Sequence, residues 1–156
     1  MKKTILTVLA LLALGNPGYA RFSNDFDRLK ALAGDWEATT PEGKTRVTYR
    51  LISNDTALME TIISENMVSV YHPDGDAVLM THYCAIGNQP RMRAQSSVNG
   101  DLKFQYVDAA NLKSPNDGHM QRLVIKFQDA DHVTQEWTWK ENGKETTSVS
   151  HLQRVK

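Results

Sequence analysis

The chain predicts an all-β protein: an antiparallel, up-and-down barrel of about ten strands, preceded by a short helix. Three observations carry that expectation. From Asp35 onward apolar side chains recur at every second position, the period of a strand with one buried face. Turn-forming residues break that period at short intervals. The resulting strands are too many for an open sheet without long exposed edges, so closure is the economical arrangement.

The helix comes first. Residues 22–33 read FSNDFDRLKALA, with Phe26, Leu29, Leu32 and Ala33 on one stripe and Asp25, Asp27, Arg28 and Lys30 facing away. Asn24 or Asp25 can cap its start, and Gly34 stops it. The breaks that follow are Pro41-Glu42-Gly43, Asn54-Asp55-Thr56, Pro73-Asp74-Gly75-Asp76, Gly87-Asn88, Asn99-Gly100-Asp101, Asp129-Ala130-Asp131 and Asn142-Gly143. Asx-Gly and Pro-Asp-Gly reach positive φ or preset a tight reversal, so successive strands pair antiparallel.

Alternation sorts the strand faces. Val47, Tyr49 and Leu51 oppose Arg46, Thr48 and Arg50; Leu102, Phe104 and Tyr106 oppose Lys103 and Gln105. Leu123, Ile125 and Phe127 oppose Arg122 and Lys126, while Val133, Trp137 and Trp139 oppose Glu136 and Thr138. Polar residues interrupt some apolar faces: His119 and Gln121 continue the Leu123 face, and Gln135 lies between Val133 and Trp137. A packed core seldom keeps such groups without partners, whereas a lumen holding water or a ligand accommodates them.

Composition narrows the function classes. Eighteen basic and eighteen acidic side chains balance, which removes the basic excess that a nucleic-acid binder needs. A length of 156 residues suits one domain with its own core. Cys84 is the single cysteine, so neither an internal disulfide nor a multi-cysteine zinc site can form.

The first twenty residues read as an export signal. Lys2 and Lys3 precede an apolar run from Ile5 to Leu14, Asn16-Pro17-Gly18 breaks it, and small residues at Gly18 and Ala20 suit cleavage before Arg21. The run is short for a bilayer span. The expectation is a signal peptide over 1–20, a barrel domain over 21–156, a periplasmic or secreted location, and no membrane span once the leader is cleaved. Its removal takes two lysines and no acid, leaving sixteen basic and eighteen acidic side chains.

The run Leu32-Ala33-Gly34-Asp35-Trp36, with a helix before a Gly-x-Trp that opens the first strand, and Arg154 in the last strand, resembles the calycins: lipocalins, fatty-acid-binding proteins and nitrobindin-like barrels. The resemblance implies structural roles for Gly34, Trp36 and Arg154, the tryptophan closing the barrel floor and the arginine packing across its ring. The usual lipocalin disulfide is absent. The block from Thr81 to Met92, THYCAIGNQPRM, is similar to that of secreted bacterial lipocalin-like proteins, a likeness that brings no activity with it.

The candidate chemistry follows from the faces. Tyr49, Phe104, Tyr106, Trp137 and Trp139, with Phe127, make an aromatic interior that either clamps an apolar ligand or fills the barrel. His82, Arg91, His119, Gln121 and Gln135 supply polar groups for a ligand's head, with Arg91 or Arg93 as a fork for a carboxylate. His82 and Cys84 share a strand face, but positions two apart are about 7 Å apart at Cα, a poor dyad. No residue set predicts a metal site. Haem, held in nitrobindin-like barrels by one histidine, has His119 or His82 as its candidates here. The loop 108–118 is either a lid or a surface connection.

The expected function is therefore an exported, monomeric or weakly dimeric barrel that binds a small hydrophobic or amphipathic ligand. A haem- or thiol-dependent enzyme and an envelope interaction module with a filled core are the alternatives.

Overall fold

A computed structural model describes residues 25–75, 77–96 and 100–156, without the side chains of Gln95 and Ser96. The expected leader and cleavage site lie outside the described residues. The helix, α1, spans 25–30. It is shorter than the sequence stripe because its end tightens into i→i+3 bonds, Leu32 N–H to the Leu29 carbonyl and Ala33 N–H to that of Lys30.

Ten strands follow: β1 (Gly34–Thr40), β2 (Gly43–Ile52), β3 (Ala57–Ile62), β4 (Met67–Asp74), β5 (Ala77–Tyr83), β6 (Gln89–Ser96), β7 (Leu102–Ala110), β8 (His119–Phe127), β9 (His132–Glu141) and β10 (Lys144–Arg154). Each pairs antiparallel with its chain neighbours, and β10 returns to β1 through Trp36↔Arg154 and Ala38↔Leu152 to close the barrel. Closure satisfies the edge groups of every strand, which is what a ten-stranded meander requires.

One end is filled and capped. Phe26, Leu29 and Leu32 bury the α1 face against it. Trp36 is fully buried and donates its indole N–H to the Leu32 carbonyl at 2.7 Å. Arg154 lies with its guanidinium carbon 4.3 Å from the Trp36 ring centre and donates to the carbonyls of Ala31, Ala33 and Ala130. Gly34 makes this possible. Its φ is +138°, and a Cβ there would stand 2.8 Å from Arg154 Nη1.

Two bulges change which residues share a face. In β6–β7 the register shifts between Arg91 and Met92, and in β8–β9 between Met120 and Arg122. The second overturns the expected alignment of His119 and Gln121 with Leu123. Met120 is the residue opposite Trp139, so Met120 joins the inner face, while His119 pairs with Lys140.

Candidate functional site

Cross-strand neighbours lie on the same side of a sheet, so the register builds the lumen wall. One row runs through Gly34↔Tyr49, Tyr49↔Glu60, Glu60↔Ser69 and Ser69↔His82. It starts at the first residue of β1, by the capped end, and reaches the far end of β5. The strand tilt of a barrel makes such a row oblique, so it climbs from floor towards mouth. Tyr49, Glu60, Ser69 and His82 are all buried.

The row carries a polar network. Tyr49 donates to Glu60 Oε1 at 2.7 Å, and Tyr71, one register level away on β4, donates to Oε2 at 2.7 Å. Gln135 reaches across the lumen from β9 and donates from Nε2 to Glu60 Oε1 at 2.7 Å and to the Tyr49 oxygen at 2.8 Å. The amide orientation is fixed, because Trp137 Nε1, a donor only, is bonded to Gln135 Oε1 at 3.1 Å. Glu60 thus accepts at both oxygens and donates to nothing, the pattern of a carboxylate. Burial, and then the Glu60 charge, push both tyrosine hydroxyls well above their ordinary range, so they stay protonated as donors.

The row continues past Glu60, where Ser69 Oγ and His82 Nδ1 are hydrogen-bonded at 3.0 Å. Burial lowers the His82 pKa to about 4, so the ring is neutral at pH 7. The other ring nitrogen, Nε2, is buried and has no hydrogen-bond partner. The Trp137 ring lies against the imidazole, centroids 4.9 Å apart.

His82, Gln135 and Trp137 form the inner wall of a cavity of about 560 Å³ at the end opposite α1. Val47, Ile62 and Met120 supply apolar wall, and Thr40, Thr45, Ser64, Ser148 and Ser150 place hydroxyls towards the mouth. Glu42 and Glu65 flank it. Partial burial, with the Glu42 charge as a second cause, raises the Glu65 pKa.

Of the residues expected to meet a ligand, the structure gathers Tyr49, His82, Gln135 and Trp137. Phe104 is core, edge-on to Tyr71 at 5.6 Å. Arg91 is displaced from the lumen: it alternates with buried Met92, is exposed, and grips Asp108 through Nε at 2.6 Å and through Nη2. That grip holds the Asp108 carboxyl below its ordinary value. The expected carboxylate fork is therefore absent at this position, and Arg93 is likewise paired with Asp74. His119, Gln121 and Tyr106 form a separate group. His119 bonds the Asp117 carbonyl and Gln121 Oε1 and stacks on Tyr106 at 4.9 Å, so both ring nitrogens are engaged. Trp139 is half-buried beneath Gly118, where a Cβ would come within 2.0 Å of the indole. Strand β7 takes the start of the long loop, and Asp117 ties the remainder by accepting from the N–H groups of Lys113 and Ser114.

Three members of the network escaped the sequence reading: Glu60, Ser69 and Tyr71. Glu60 had a signal, an acid between Leu58 and Ile62 on one strand face. Ser69 and Tyr71 had none, since β4 alternates Met, Ser and Tyr with Val, Val and His. No known family's sequence profile matches this chain, and comparison with curated proteins finds no match.

Proposed function

We propose that the protein is an exported lipocalin-like barrel that binds a small, mostly apolar molecule in its lumen. The observation that carries this reading is the cavity itself. Its volume of about 560 Å³ is within the usual range for small-molecule sites, and His82, Gln135 and Trp137 stand on its inner wall. The Arg154–Trp36 floor supports the calycin resemblance.

The test is saturable binding of a neutral apolar probe such as 1-octanol, followed by tryptophan fluorescence, with extraction and mass spectrometry of the protein from its native host. Ser150→Trp, which fills the cavity from β10, abolishes the signal while the circular dichroism spectrum is kept. A probe that binds the Ser150→Trp variant unchanged, or binds neither protein, removes the reading.

A second reading has His82 as a ligand for haem iron. His82 favours it over His119, whose nitrogens are both bonded. A Soret shift on haem titration that His82→Ala abolishes and His119→Ala leaves intact would support it.

A further inference from the structure

We propose that the lumen selects a protonated amine on an apolar body and rejects a carboxylate of the same shape. This rests on the lumen being a binding site and names the class of ligand.

Two features converge on that choice. The first is charge. Glu60 sits fully buried with donors from two tyrosines and a glutamine, and no cation among its hydrogen-bond partners. Among the described residues of the lining, Lys44 is the single cation, and it is bonded to Glu37 at 2.5 Å on the exposed rim. Glu42 and Glu65 add negative charge at the mouth. The second is the Trp137 indole on the cavity wall, an aromatic ring that attracts a cation.

The size of the effect follows from the register. Glu60 and His82 are two strand spacings apart, about 10 Å. At an effective dielectric near 20, a unit charge at that distance changes affinity roughly tenfold, attractive for an amine and repulsive for an acid.

The test is a matched series at pH 7.5 on the wild-type protein: octylamine, 1-octanol and octanoate, by titration calorimetry. Octylamine is expected to bind at least tenfold tighter than octanoate, with 1-octanol between. Glu60→Gln narrows the amine-to-acid ratio by up to about a hundredfold. Octanoate or 1-octanol binding as tightly as octylamine overturns the proposal and leaves the lumen reading standing. A Glu60→Gln protein that folds and keeps the full ratio overturns it as well. Failure of all three compounds to bind ends both.

Discussion

At the helix end of the barrel, Trp36, Arg154 and the carbonyls of residues 31–33 satisfy one another beneath Phe26, Leu29 and Leu32; at the far end, His82 Nε2 has no partner beside an unfilled cavity. The Glu60 network lies between them. The helix end spends its side chains on packing and on closed hydrogen bonding. The far end keeps small hydroxyl residues on β10 where the helix end has Leu152, and the difference in side-chain volume leaves the space. Stability is therefore concentrated at one end and accessible chemistry at the other, joined by a polar row that begins on the floor.

The largest break in that division comes from Glu60→Ala. It strands three buried donors, from Tyr49, Tyr71 and Gln135, and is expected to cost about 3–5 kcal/mol in urea unfolding. A loss below about 1 kcal/mol, with the fold intact, contradicts a network that joins the two ends.

Acid comes next. Burial holds the His82 pKa near 4 in the folded protein, against an ordinary 6.5 in the unfolded chain. Between those values the unfolded chain takes up a proton that the folded one refuses, so stability falls as pH drops through this window. The loss begins near pH 6.5 and reaches about 3 kcal/mol by pH 4. Unfolding measured from pH 7 to 4 should show the slope, and His82→Phe should flatten it.

Gly34→Ala tests the floor. Its φ of +138° is unfavourable for alanine, and the new Cβ meets an Arg154 guanidinium already fixed by three carbonyls. The expected loss is about 2 kcal/mol in thermal or urea unfolding. Ser148→Ala at the mouth should change stability by less than about 0.5 kcal/mol, because its side chain is exposed and not part of the network. Equal costs at Gly34 and Ser148 would erase the contrast between the ends.

Much of this was legible beforehand. Period-two alternation and turn residues predicted about ten antiparallel strands and ten form, since both signals are local. Tyr49, Gln135 and Trp137 were legible as inward because a strand's parity is preserved along an uninterrupted run. His119 and Gln121 were misplaced for the same reason: the parity argument fails at a bulge, and the extra residue at Gln121 leaves no mark in the local pattern. Arg91 was misassigned because the adjacent turn looked like a rim of donors, whereas Asp108, its partner, is seventeen positions away in the chain.

The sequence by itself determined the strands, their order and most of their faces, because turn chemistry and alternation act between residues a few positions apart. Only the tertiary structure decided that Tyr49, Glu60, Ser69 and His82 stand in one row and that Gln135 meets them from the opposite wall. That depends on the stagger between strands and on closure of the sheet, which bring together groups 75 positions apart.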